Sequence, residues 1–307
     1  MTRASVLLLL SLVAPAAMAL PLAGGSVVVA YEPERLAITY PAIPRPLQAF
    51  SAEGLRLGEF GRGTAVAASG IHIYTSGSLL RWYDLNLALS GTAASAVDGN
   101  GGIAVSRDGT FYAVSRTSGQ VELFTGSGLV RTLQLPYSDL FPASLAVDGC
   151  VLWYVENFRA HRYDACKSQA LADPAPGQLF NFVRPIVGGF VGGQGNIVRV
   201  FDDSRHLQRS IVVSDFYVIR ALSFSDDGGT LWVAGGSESN QPLLVSVSLD
   251  GRVLARTALH EQALAVAVVG EKAPTLESLV TAVPTLSEIS RFMLFAAMLI
   301  CAMWRLA

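Results

Sequence analysis

Charge is in short supply. Only 15% of the 307 residues are charged, well below the roughly 25% of an ordinary soluble domain. A positive excess is missing too, with 22 Lys+Arg against 24 Asp+Glu for a formal net charge of −2. Nucleic-acid binders usually carry a basic stripe, so that class is set aside. Long helical periodicity is absent: no extended stretch places apolar residues at i, i+3, i+4 and i+7. Histidine is rare, and His72, His161, His206 and His260 have no second His or Cys at zinc-ligand spacing. There is no Cys-x-x-Cys and no Gly-x-Ser-x-Gly elbow. The glycine-rich Gly188-Gly189 and Gly192-Gly193-Gln194-Gly195 lack the spacing of a dinucleotide loop and read as turns and close-packed strand glycines. The paired carboxylates Asp202-Asp203 and Asp226-Asp227 lack the alternating ligands of a calcium loop and read as solvated turn residues. No catalytic, cofactor-binding or metal-ligating residue is assigned, and no cofactor is expected.

Apolar residues, in contrast, make up 51% of the chain, enough for a large core, and 29 Gly and 14 Pro indicate many turns. Both termini carry signals of their own. Arg3 precedes the apolar stretch 4–13, and Ala17-Met18-Ala19 follows. A basic start, a short apolar run and an A-x-A site are the parts of a secretory signal peptide, cleaved after Ala19. That assigns 1–19 to the signal and leaves Leu20 as the new N-terminus.

At the other end, a polar linker over 271–282 leads to Val283-Pro284-Thr285-Leu286-Ser287-Glu288, then Arg291, the unbroken apolar run 292–304 and Arg305. As a helix that run covers about 20 Å, short of the roughly 30 Å hydrocarbon core, which suits a segment held briefly in a membrane. The tail, 283–307, resembles the IPTL-CTERM sorting domain of Gram-negative bacterial surface proteins. Pro284, Thr285, Leu286, Ser287 and Glu288 match its motif, Val283 replaces an Ile, and Ile289 and Ser290 stand where Trp and Gly are usual. The resemblance implies an exosortase-type membrane enzyme as partner, acting near Pro284-Thr285, and a place in the cell envelope or at the surface after export across the inner membrane.

Between the signals, short alternating or β-branched runs are punctuated by Gly, Asp and Asn, an all-β pattern. They repeat. Residues 102–133 hold four runs, with an Asp108-Gly109 turn between the first two, and 145–163 and 222–254 align with them. The apolar end of the third run falls at Phe50, Tyr83, Phe124, Tyr163, Phe201 and Val247, at spacings of 33, 41, 39, 38 and 46. A period near 40 is that of a propeller blade. One such sheet buries too little to stand alone, whereas sheets arranged radially pack on two neighbours each. The expectation is a six-bladed β-propeller over 20–270. The surplus strand 263–269 either closes the ring with the N-terminal strands or is the remnant of a seventh blade; a β-sandwich is the structural rival.

Ser106-Arg107-Asp108-Gly109-Thr110-Phe111-Tyr112 and Ser225-Asp226-Asp227-Gly228-Gly229-Thr230-Leu231-Trp232 resemble the repeats of YVTN and lactonase-type propellers. The second also overlaps the sialidase Asp-box through Ser225, Asp227, Gly229 and Trp232. In both families the box is a structural turn with a packed aromatic residue.

Cys150 and Cys166 flank strands expected at 151–156 and 159–164. A three-residue loop at Asn157-Phe158-Arg159 would set the two cysteines opposite each other, within reach of a disulfide, and an oxidising periplasm would preserve it. Cys301 lies in the C-terminal apolar run. Glu156, Arg159, Arg162 and Asp164 read as a surface charge network, and His161 and His206 as solvated edge residues near the third strand. Two functions compete. The first is a non-enzymatic exported module that binds a protein or glycan. The alternative is a lactonase-like envelope hydrolase or lyase, which would gather charged residues at the starts of the innermost strands.

Overall fold

The computed structural model describes residues 21–33, 43–76, 79–94, 102–106, 110–114, 119–125, 128–136 and 145–281. The signal peptide with Ala17 and Ala19, the Asp108-Gly109 turn, the motif 283–288 and the apolar run with Cys301 lie outside them.

Chain order begins with β1 (Val27–Tyr31), β2 (Leu47–Phe50) and β3 (Arg56–Phe60). Blade 2 follows as β4 (Ala65–Ala68), β5 (Ile73–Ser76), β6 (Leu80–Tyr83) and β7 (Leu89–Ala93). Blade 3 is β8 (Ile103–Val105), β9 (Phe111–Val114), β10 (Gln120–Thr125) and β11 (Gly128–Gln134). Blade 4 is β12 (Ala146–Asp148), β13 (Val151–Glu156), β14 (Arg159–Asp164) and β15 (Gln169–Leu171). Blade 5 is β16 (Phe182–Ile186), β17 (Gly189–Gln194), β18 (Ile197–Asp202) and β19 (Leu207–Val212). Blade 6 is β20 (Val218–Phe224), β21 (Thr230–Gly236), β22 (Pro242–Ser248) and β23 (Val253–Ala258). The last strand, β24 (Ala263–Val268), completes blade 1 in the order β24-β1-β2-β3. The described residues therefore form six four-stranded antiparallel sheets. The surplus strand closes the ring and is no seventh blade. Val27 to Ala30 pair with Val268 to Ala265, so the first and last of the described strands are hydrogen-bonded into one sheet.

The first strand of each blade, A in the A–B–C–D order, touches the first strands of both neighbours: β24, β4, β8, β12, β16 and β20 form a closed circuit around the axis. The apolar core divides accordingly into six clusters, each lying between two adjacent blades. Val28, Leu47 and Val66 fill the space between blades 1 and 2, for example, and Trp153, Phe180 and Phe190 that between blades 4 and 5. Among the described residues no blade has a core cluster of its own. Burying one large apolar side chain contributes about 1.5–3 kcal/mol, and here that gain arises only when two blades meet.

The six residues that mark the repeat all lie on C strands, and all are buried. In five blades the C–D pairing slips by one residue at that position, beside Phe50, Tyr83, Phe124, Phe201 and Val247. Such a bulge bends and twists the outer strand. Blade 4 pairs without a slip through Tyr163↔Ala170, and there the C–D turn carries the disulfide.

That bond joins Cys150 and Cys166, with Cα atoms 5.5 Å apart. The register that led to it needs correction. Glu156 pairs with Arg159, so the β13–β14 connection is the two-residue turn Asn157-Phe158, both at positive φ (47° and 62°), as in a type I′ hairpin turn. Cys150 therefore faces Ala165, whose N–H donates to its carbonyl at 2.8 Å. Cys166 lies one position further on, where the turn brings its side chain back to Cys150.

Residues 271–281, expected as part of a linker, are packed on the ring as a strap. Lys272 N–H donates to Ser225 O at 3.1 Å on blade 6. Thr275 bridges Val187 of blade 5. A short helix, α1 (Leu276–Thr281), then buries Leu279 completely in the core between blades 5 and 6, and Arg209 donates to its carbonyl at 2.7 Å. Among the described residues no helix is long and apolar enough to cross a membrane.

Candidate functional site

The inner strands carry mainly aliphatic residues, their charged residues being Asp148 on β12, Arg184 on β16 and Arg220 on β20. Arg184 on β16 points across to blade 1, 3.5 Å from the Val266 carbonyl and 3.9 Å from Glu271. Arg220 on β20 pairs with Glu32 at 3.0 Å. Among the described residues no group of three or more His, Cys, Asp or Glu is placed to hold a metal ion.

The residues singled out in the sequence are dispersed. His206 is exposed at the C–D turn of blade 5, as expected. His161 is not solvated: it is 6% exposed, stacks on Tyr154 and holds Asp173 Oδ1 at 2.9 Å through Nδ1. Its position on the inner half of a C strand, where alternation turns it toward blade 3, overrides its polarity. Of Glu156, Arg159, Arg162 and Asp164, expected as a surface charge network, not all are at the surface. Glu156 and Asp164 are buried. Arg162 lies over the Trp153 ring at 5.2 Å and donates to the Ala172 carbonyl, while Asp164 accepts from Lys167 N–H at 2.9 Å and caps its own turn. Gly192 and Gly193 are close-packed strand glycines, since a Cβ on either would overlap the Phe180 or Phe182 ring.

The box on blade 6 is built from local hydrogen bonds. Ser225 Oγ donates to Asp227 Oδ1 at 2.5 Å, Gly229 N–H donates to the same oxygen at 2.7 Å, and Thr230 N–H donates to Ser225 Oγ at 2.9 Å. These donors, led by the Ser225 hydroxyl, hold the Asp227 carboxyl below the usual carboxylate range. Trp232, 2% exposed, packs with Tyr31 and Phe50 between blades 6 and 1. The box thus acts as a turn clamp and an inter-blade wedge.

Beside it lies a cleft that sequence reading missed. It holds about 390 Å³ between blades 6 and 1, at the end of the ring that carries the A–B and C–D turns. Asp226, Asp227 and Glu53 stand around it, Ser246 and Thr230 contribute hydroxyls, and Trp232, Leu254, Ala52 and Ala255 supply apolar wall. Gly25 (φ 81°) brings the backbone of blade 1 close: a Cβ there would sit 3.2 Å from Asp226 Oδ1. A second polar group spans the same seam. Tyr31 Oη donates to Gln48 at 2.5 Å, Gln48 donates to Glu59 at 2.9 Å, and Arg56 contacts Glu59 at 2.6 Å and His260 at 3.0 Å. Burial raises the Tyr31 pKa strongly, so it stays a neutral donor. No local motif could have revealed the cleft, because its walls come from residues 25–53 and 225–255.

No protein-family model matches the sequence, and no curated protein matches it. Solved structures do match the fold. One is the crystal structure of a nidogen/laminin complex, at a TM-score of 0.60 and 10% identity over 80% of this chain and 98% of that one. Another is the crystal structure of the mitotic checkpoint complex, at a TM-score of 0.53 and 17% identity over 86% and 92%. At these identities the likeness is one of fold alone.

Proposed function

We propose that the chain is an exported β-propeller of the Gram-negative cell envelope that serves as a non-enzymatic binding module. In this reading an exosortase-type enzyme processes it through Val283, Pro284, Thr285, Leu286, Ser287 and Glu288, and its ligand is a protein or glycan. The observation that carries the reading is the Cys150–Cys166 bond. Disulfides persist in oxidising compartments and are rare in the cytosol, which supports the signal peptide 1–19. The binding part is supported by the ring itself, a rigid frame that presents its loops at two ends. Both solved structures named above are of complexes.

Fractionation of the native host with intact-mass measurement tests the reading. The expected species is an envelope or released chain that begins at Leu20, ends near Pro284 and carries an oxidised cysteine pair. Retention of Trp304 would refute the sorting step, and turnover of a lactone panel by the purified propeller would refute the non-enzymatic assignment.

A further inference from the structure

We infer that the cleft between blades 6 and 1 is a docking pocket for a basic side chain, the ammonium or guanidinium of a lysine or arginine on a partner protein. The inference deepens the binding-module reading and rests on it. The first argument is charge. Asp226, Asp227 and Glu53 line one cleft, and among the described residues no ion pair is made by Asp226 or Glu53. Among the described residues Lys272 is the cation that acts on Asp227, so the carboxylates of the cleft outnumber the positive charge beside Asp227.

The second argument is independent of charge. Ser246 is only 4% exposed, lines the cleft and makes no hydrogen bond among the described residues. Its Oγ is not one of the fully enclosed orphan atoms, so the little exposure it has opens on the cleft, where an N–H donor entering would find an acceptor with no protein partner. The third is shape. Trp232, Leu254, Ala52 and Ala255 give an apolar lining suited to the methylene stem of a long basic side chain whose charged head stays at the polar rim. The carboxylate of Asp227 is already fixed by Ser225 and Gly229, so that acceptor is preorganised.

Calorimetric titration of the purified full chain with the peptide Gly-Lys-Gly-Lys-Gly tests the inference, with the lysine-acetylated peptide as a neutral control. Wild type is expected to bind the first and not the second, more weakly as salt is raised. Asp226→Asn and Glu53→Gln, both on exposed side chains, should each weaken binding about tenfold. Glu238→Gln, the same charge change on a blade 6 turn at the opposite end, should leave it unchanged. Leu254→Lys places a competing ammonium on the cleft wall and should abolish binding. No heat with the basic peptide, equal binding of the acetylated one, or indifference to Asp226→Asn and Glu53→Gln would each overturn the docking pocket. Failure of the export reading would appear instead in the fractionation and leave these titrations untouched.

Discussion

Thr257 Oγ1 donates a hydrogen bond of 2.8 Å to the carbonyl of Gly54, a residue 203 positions away in the chain. The contact fastens the outer strand of blade 6 to the C–D turn of blade 1, in the sheet where β24 and β1 pair. The ring therefore has a seam, and the energetics of that seam set how the protein fails.

Trp232 is the largest side chain in that seam, packed against Tyr31 and Phe50. Trp232→Ala is expected to cost about 3–5 kcal/mol, read as a drop in the urea midpoint. Hydrogen exchange should quicken first in β24 and β1, because separating blades 6 and 1 exposes their pairing.

The disulfide makes a different prediction. Its cysteines are 16 positions apart, and a cross-link of that span stabilises by about 3 kcal/mol in the chain-entropy model. A Cys150→Ser, Cys166→Ser double variant should lose that amount in denaturant melts. Added reductant should lower the wild type toward the variant and leave the variant unmoved.

The strap can be tested through Leu279, fully buried between blades 5 and 6. Leu279→Ala should destabilise by up to about 2–5 kcal/mol, at the low end if α1 undocks locally before the ring opens. Limited proteolysis is the sensitive readout: the variant should be cut within 271–281 well before any cut inside the blades.

Asp227 ties stability to pH. Hydrogen bonds from Ser225 and Gly229 lower its folded-state pKa, so the folded state binds its proton less readily than the unfolded chain does. That contribution is present in full above the unfolded carboxyl pKa near 4 and is lost as pH falls through the depressed folded value. Melting temperature should fall on acidification below about pH 4, and Asp227→Asn should flatten that fall while lowering the plateau at neutral pH.

The repeat was the most legible feature of the sequence. Phe50, Tyr83, Phe124, Tyr163, Phe201 and Val247 mark it because each must fill a space between blades, and a buried apolar position at the same point of every blade leaves a trace at fixed spacing. The disulfide partners were legible as well, although the turn at the far end of their hairpin was counted one residue too long. Asn157 and Phe158 can both take positive φ, and a Phe in that conformation gives no compositional warning. His161 was misread because an imidazole looks polar in a list of residues, yet in the structure it is covered by Tyr154 and satisfied by Asp173.

Local order in the chain by itself determined the all-β class and the period near 40, since alternation, turn residues and apolar spacing are properties of neighbours in sequence, while six blades against seven was left to the ring closure. Only the tertiary structure decided which strand closes the ring, where residues 271–281 dock, and that Asp226, Glu53 and Ser246 share one cleft. The first and the last depend on groups from the first and last blades meeting across the blade 6–blade 1 seam, and the second on the space between blades 5 and 6. No spacing rule encodes such a meeting, because radial packing alone brings these groups together.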